Sequence, residues 1–135
     1  MLRLGVNAPT PPAGDLRASG MIVGFYSDIR LKDNIEYIKD ANEKLSKLNG
    51  VFYTQNKTAE ILGYHDYSQQ SGLIAQEVKE VLPEIVKEAP ITSAETSGDK
   101  YLTVQYEFVV PLLVQAIKEQ QEEIEELAGI LLDDG

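Results

Sequence analysis

The most regular hydrophobic pattern of this chain lies near its C-terminus. Apolar side chains recur there in alternating steps of three and four, which is the heptad repeat of a coiled coil. We call the following residues the heptad seam: Val110, Leu113, Ile117, Gln120, Ile124, Leu127 and Leu131. Its polar member, Gln120, costs stability but can fix register and strand number. The pattern predicts a helix within 105–135 that associates with copies of itself or packs on its own domain.

A second helical pattern precedes it. Apolar residues at near-helical spacing predict a helix over 33–49, with an inward stripe of Ile35, Ile38, Leu45 and Leu48. Asn49 and Gly50 close this helix, since both tolerate the left-handed backbone with which many helices end. Residues 51–54 then favour a strand.

The middle of the chain combines short helices and strands. Residues 75–82 predict a helix with Val78, Val81 and Leu82 inward, which Pro83 ends. Residues 85–87 and 101–103 are β-favouring runs, and we expect them to pair across the polar loop between them. Together these patterns predict an α+β chain.

Composition narrows the possible functions. The formal charge of −10 and the pI of about 4.5 argue against nucleic-acid binding. Cysteine is absent and His65 is the single histidine, which makes a thiolate or histidine metal site and a Ser-His-Asp triad improbable. No apolar run has the length needed to cross a bilayer. We expect no metal, no cofactor, no nucleic-acid partner and no membrane partner.

The richest chemistry lies at residues 27–34. Ser27 is followed by Asp28, Arg30 and Lys32. A serine needs a base to become a nucleophile, and a lysine with a lowered pKa can replace histidine in that role. A turn between Ser27 and Lys32 would bring the two side chains together. The spacing alone is weak evidence and is more typical of a strand, a turn and a helix start with solvated charges.

The wider setting of this string resembles a known family. The string YSDIRLKDNI at 26–35 is followed by GLIAQEV at 72–78, LPE at 82–84 and YLTVQY at 101–106. These blocks, in this order, resemble the C-terminal intramolecular chaperone domain of phage tail fibres, tailspikes and endosialidases. The same domain type occurs in the eukaryotic myelin regulatory factor.

The resemblance implies an architecture and partners. It implies the end of a β-structured fibre stem at 1–26, a globular chaperone part at 27–104 and a C-terminal helix at 105–135 in a trimeric coiled coil. The partners would be two further copies of the chain and its own N-terminal stem. The location would be the virion tail fibre, or the host cytoplasm if cleavage releases the domain. We expect the chain to be a fragment of a longer fibre rather than a complete gene product.

The resemblance also implies a single-turnover self-cleavage. Ser27 would attack a neighbouring carbonyl and Lys32 would accept its proton, while Asp28 and Arg30 would shape the turn or stabilise charge. The family favours scission at Ser27–Asp28. A shift of the preceding acyl group onto the hydroxyl would instead cut Tyr26–Ser27.

Two further interpretations stay open. The domain could be a permanent trimeric cap or adaptor of a tail fibre that is never cut. It could also be a receptor-binding tip, which would place exposed aromatic side chains within 55–67. A conventional hydrolase is less well supported, because nothing outside the junction assembles an acid and a base.

Overall fold

The computed structural model of the chain describes residues 18–89 and 99–133. The chain divides into two compact units, with the boundary between Glu36 and Tyr37. The first part of the predicted stem, 1–17, and the stretch 90–98 between the two predicted β-favouring runs lie outside the described residues.

The described part of the first unit, 18–36, is exposed throughout. Its one regular element is a 3-10 turn, Ile29–Leu31. Residues 18–26 form no strand here. A stem in which three chains wrap together needs the other two chains, so the β-structured stem stays a prediction.

The second unit begins with two short helices and two short strands. These are α1 (Ala41–Ser46), β1 (Val51–Tyr53), α2 (Lys57–Ile61) and β2 (Gln70–Gly72). The two strands pair antiparallel, with Val51 opposite Gly72 and Tyr53 opposite Gln70. The predicted strand at 51–54 is therefore confirmed.

The predicted helix over 33–49 is wrong for its first half and for its last residues, because α1 begins only at Ala41 and ends at Ser46. Asn34 and Asp40 have φ angles of 53° and 54°, and left-handed residues interrupt a right-handed helix. Asparagine and aspartate tolerate this conformation better than most residues. Of the predicted stripe, Ile35 is exposed, whereas Ile38, Leu45 and Leu48 pack against the core.

The next elements match the sequence closely. They are α3 (Ala75–Val81), a 3-10 turn (Pro83–Ile85), β3 (Val86–Glu88) and β4 (Leu102–Val104). Val78 and Leu82 are buried as predicted. The predicted pairing across the loop is confirmed, since β3 and β4 are antiparallel with Lys87 opposite Thr103. The strand begins at Val86, one residue later than expected, because the turn that Pro83 opens extends through Ile85.

A 3-10 turn, Tyr106–Phe108, leads into the long helix α4 (Val110–Asp133). The core lies where α1, α3 and the start of α4 meet, and its buried members are Ala41, Val78, Leu82, Ile85, Val109, Leu112 and Ala116. The chain thus has the α+β architecture that the sequence predicts, with small antiparallel sheets and a long C-terminal helix. The trimeric coiled coil stays a prediction. Across the described part of the chain, no helix combines the length and apolar character that a membrane span requires.

Candidate functional site

A tight turn shapes the first candidate site. Asp28 precedes the 3-10 turn with an extended backbone (φ −67°, ψ 131°), and its side chain accepts a hydrogen bond from the backbone N–H of Arg30. Leu31 N–H donates to the Asp28 carbonyl at 3.0 Å, and Lys32 N–H donates to the Ile29 carbonyl at 3.2 Å. The backbone therefore folds back between Ser27 and Lys32.

The turn brings the candidate nucleophile and base into contact. Lys32 Nζ donates a hydrogen bond to Ser27 Oγ at 2.8 Å, across five positions of sequence. A base that takes a proton from a hydroxyl needs a contact of this length. Both residues are exposed in the single chain. The geometry has the contact that a Ser-Lys mechanism requires, while the catalytic role of each residue stays a prediction.

Asp28 and Arg30 form a pair inside the same turn. Arg30 Nε donates to Asp28 Oδ1 at 3.0 Å, and Arg30 Nη2 donates to Asp28 Oδ2 at 2.8 Å. The side-chain hydrogen bonds from Arg30, followed by the bond from its backbone N–H, lower the pKa of the Asp28 carboxyl below its ordinary value. The same contact raises the pKa of Arg30. The carboxylate is therefore ionised at neutral pH, with both oxygens occupied.

The backbone just before the turn adopts a rare conformation. Phe25 has a φ of 62°, a left-handed angle that bulky side chains seldom adopt. Such residues cost free energy and cluster at functional sites. The two candidate scissile bonds, Tyr26–Ser27 and Ser27–Asp28, lie one and two residues beyond it.

The second candidate site is the outer face of α4. Every apolar member of the heptad seam is exposed in the single chain, from 39% at Leu113 to 75% at Leu131. Among them, Ile124, Leu127 and Leu131 lie in the segment 121–133, where no residue is buried. Gln120 is also exposed, and its Nε2 donates to Asn42 Oδ1 at 2.9 Å. No member of the seam is therefore buried by its own chain, although Gln120 makes this one hydrogen bond.

A neighbouring stripe of α4 fastens this helix to α1. Ala41 N–H donates to Glu119 Oε1 and Asn42 N–H donates to Glu119 Oε2, each at 2.8 Å. Asp40, which precedes α1, has a left-handed backbone and makes no side-chain cap. Glu119 therefore satisfies N–H groups that begin α1. These bonds, that from Asn42 first, lower the pKa of the Glu119 carboxyl.

Sequence reasoning missed the roles of Glu119 and Asn42. Glu119 lies between the seam residues Ile117 and Gln120, and the helical periodicity gives neither Glu119 nor Asn42 a contact partner. No local signal links these residues, which lie 77 positions apart. A carboxylate is known to stabilise a helix start, but only the tertiary structure shows which helix it reaches.

The remaining candidates acquire no site geometry. Tyr64, His65 and Tyr67 are exposed, as a receptor-binding tip would require. Aromatic side chains elsewhere in the described chain are exposed as well, so this exposure does not distinguish residues 55–67. Within 18–89 and 99–133, no group of three or more histidine or acidic side chains could hold a metal ion.

Comparisons with known proteins agree with the resemblance. The family model described as chaperone of endosialidase matches residues 27–87. The long tail fiber protein Gp37 of Enterobacteria phage K3 is 39% identical over 106 residues, which are 78% of this chain and 8% of that protein. Gp37 of phage T2 is likewise 39% identical over 106 residues, or 7% of its length. Gp37 of phage M1 is 36% identical over 102 residues, or 38% of its length.

Proposed function

We propose a function from the premise that residues 27–87 of this chain belong to the chaperone of endosialidase family. The chain acts as an intramolecular chaperone of a phage tail fibre. It trimerises through the heptad seam, holds the attached stem strands in register, and then cuts itself at the Ser27 junction. The chain spans less than a tenth of the first two long tail fibre relatives that it matches, so the stem that it would assemble is also part of the proposal.

The observation that carries the assembly step is the unpacked second half of α4. No residue of 121–133 is buried, although Ile124, Leu127 and Leu131 lie on one stripe. An isolated helix of this length is marginal in water, and burying each such side chain contributes about 1.5–3 kcal/mol. Association of identical helices along the seam supplies that burial. The family resemblance favours three copies.

The trimer would act on the stem through proximity. Three associated helices hold three attached stems at high effective concentration. A β-structured fibre depends on contacts between distant or separate segments, which form slowly. The assembled helices thus shorten the search for the correct register. They are needed only while the stem folds.

Self-cleavage would follow once the stem is formed. Ser27 Oγ attacks a carbonyl carbon and gives its proton to Lys32 Nζ, which then protonates the departing amide nitrogen. An ester remains, and water hydrolyses it to a free carboxylate and the regenerated hydroxyl. For Tyr26–Ser27 the attacked carbonyl is the adjacent one. For Ser27–Asp28, which the resemblance favours, attack within the residue would close a strained four-membered ring, so this scission uses the hydroxyl of a neighbouring copy.

Intact mass of the freshly purified chain tests the proposal. The wild type is compared with Ser27→Ala, and with Ser71→Ala as a control hydroxyl outside the turn. We expect loss of the N-terminal segment in the wild type and in Ser71→Ala but not in Ser27→Ala. The product mass identifies the bond. Light scattering on the same samples measures the number of copies, and a monomer at micromolar concentration would contradict the assembly step.

A permanent structural cap is the second candidate. The observation that favours it is the exposure of Ser27 and Lys32 in the single chain, since a desolvated amine is the better base. A wild-type chain that stays uncut but forms a trimer would support the permanent cap and contradict the proposed self-cleavage.

A further inference from the structure

We infer that Asp28 and Arg30 are positioning residues: they form a clasp that holds the turn in which Ser27 and Lys32 meet. This inference resolves a choice that the sequence leaves open, between shaping the turn and stabilising charge. Its mechanistic meaning rests on the proposed self-cleavage. The geometric claim, that the clasp maintains the Ser27–Lys32 contact, can be tested separately.

The clasp is built from three hydrogen bonds to one carboxylate. Asp28 Oδ1 accepts from the backbone N–H of Arg30 at 2.8 Å and from Arg30 Nε at 3.0 Å, while Oδ2 accepts from Nη2 at 2.8 Å. One residue thus caps the 3-10 turn and also binds the side chain of the central turn residue. Paired hydrogen bonds between arginine and carboxylate are stronger and more directional than a single charged contact.

The turn matters because the reacting side chains are distant in an extended chain. Five residues of extended backbone span about 17 Å, which is beyond the combined reach of a serine and a lysine side chain. In the structure the two atoms lie 2.8 Å apart. Ser27 comes directly before the capping residue, and Lys32 ends the turn. Any loosening of the turn therefore separates nucleophile and base.

The same contacts argue against the alternative role for each residue. Asp28 has both oxygens occupied and a lowered pKa, so it is a poor proton acceptor. Arg30 directs Nε and Nη2 at Asp28, so the charge of its guanidinium is balanced within the turn. A group that stabilises a developing oxyanion must instead direct its donors at the reacting carbonyl.

The test compares substitutions that separate charge from shape. Arg30→Lys keeps the positive charge but removes the fork, and Arg30→Gln removes both. Asp28→Asn keeps an oxygen that can cap the turn but loses the charged pair. Lys57→Gln, which removes an exposed cation of the second unit, is the control. All variants are made in the full chain.

Two readouts are needed. The first is the proximity of the Lys32 and Ser27 side chains, measured by nuclear Overhauser effects on the freshly purified, uncut chain. The second is the cleavage rate by intact mass between pH 7 and pH 10. We expect both Arg30 variants to lose the proximity signal and at least about tenfold in rate, since small misplacements of reacting groups are costly. Asp28→Asn should have a proximity signal and a cleavage rate between those of the Arg30 variants and those of the wild type. Higher pH should not restore the rate, because misplacement does not depend on protonation.

Each outcome decides between the roles. Arg30→Lys with wild-type rate and proximity would overturn the clasp and assign Arg30 an electrostatic role. Recovery of Arg30→Gln at high pH would do the same. If the wild type is never cut, the proposed cleavage fails and the clasp is judged by proximity alone. A proximity signal that survives in every variant would then refute it.

Discussion

The two halves of α4 resemble each other in sequence but differ in what surrounds them. Residues 110–120 pack on α1 and the core through Leu112 and Ala116. Residues 121–133 contact nothing that buries them, although they carry as regular an apolar stripe. One helix therefore combines a part that its own chain buries with a part that its own chain leaves exposed, and the second part is the one that the proposed trimer would bury.

The two halves of α4 differ in the residue that precedes each seam position. In the first half that residue is Val109, Leu112, Ala116 or Glu119, and each of these contacts the core or α1. In the second half acidic residues, Glu123 and Glu126, precede Ile124 and Leu127, while Leu131 follows an apolar residue, Ile130, that is exposed. Adjacent apolar pairs therefore give the helix two apolar faces, one inward and one outward. Where an acidic residue stands in place of the inward apolar residue, the helix keeps only its outward apolar face.

The largest expected effect distinguishes two neighbouring leucines. Leu112 is fully buried, whereas its neighbour Leu113 is a partly exposed seam residue. Leu112→Ala should lower the free energy of unfolding by about 2–5 kcal/mol, the range for buried leucine truncations. Leu113→Ala should change the folding of the single chain much less and weaken association instead. Unfolding in urea, at a protein concentration too low for association, measures the first effect. Sedimentation measures the second. Equal losses in urea would show that the helix has no separate inner and outer faces.

The second prediction concerns the half that lacks internal packing. Leu127→Ala should raise the concentration at which trimers form by at least about tenfold, since 1.4 kcal/mol corresponds to tenfold and each copy loses burial of about that size. Glu126→Ala is the matched control, because it changes the neighbouring position outside the seam. Sedimentation over a range of concentrations measures both. A larger effect from Glu126→Ala would mean that a different stripe forms the interface.

Sequence reasoning recovered the elements that local patterns determine. The strand at 51–53, the helix at 75–81 and the pairing of β3 with β4 follow from alternation, helical spacing and a proline stop. The start of α1 was missed, because Ile35 and Ile38 keep a helical spacing although Asn34 and Asp40 near them adopt left-handed angles. Such angles depend on what the neighbouring segments offer, and the hydrophobic pattern contains no record of them.

The candidate sites divide along the same line. The Ser27–Lys32 contact lies within a few residues of sequence, so a turn is enough to predict that the pair could meet. The pairing of Asp28 with Arg30 was left open, because two charges that are close in sequence can bind each other or a third group. The cap from Glu119 to α1 joins residues that only tertiary packing brings together.

The third prediction concerns the effect of acid on the hydrogen bonds between Glu119 and the start of α1. The pKa of Glu119 is lowered in the folded chain below the ordinary glutamate value of 4.5. Its carboxylate therefore stabilises the fold fully above about pH 4.5 and loses this contribution as the pH falls through the folded value. Glu119→Gln should be less stable than the wild type at pH 7, and the difference should shrink towards pH 3. Thermal unfolding of the two proteins at both pH values measures this. A constant difference would assign the effect to packing rather than charge.

The smallest expected effect concerns the second half of α4, where acid should raise stability rather than lower it. Residues 118–135 carry seven carboxylates and one lysine, and a parallel bundle would bring three such sets together. Their repulsion should weaken the bundle at neutral pH and decrease on acidification, so its melting temperature should rise between pH 7 and pH 5. Added salt at pH 7 should give a similar rise, because it screens exposed charges. The cap at Glu119 is still ionised at pH 5, so it does not oppose this rise. A melting temperature that is unchanged by both acid and salt would show that the repulsion is negligible and that apolar contacts alone set the stability of the bundle.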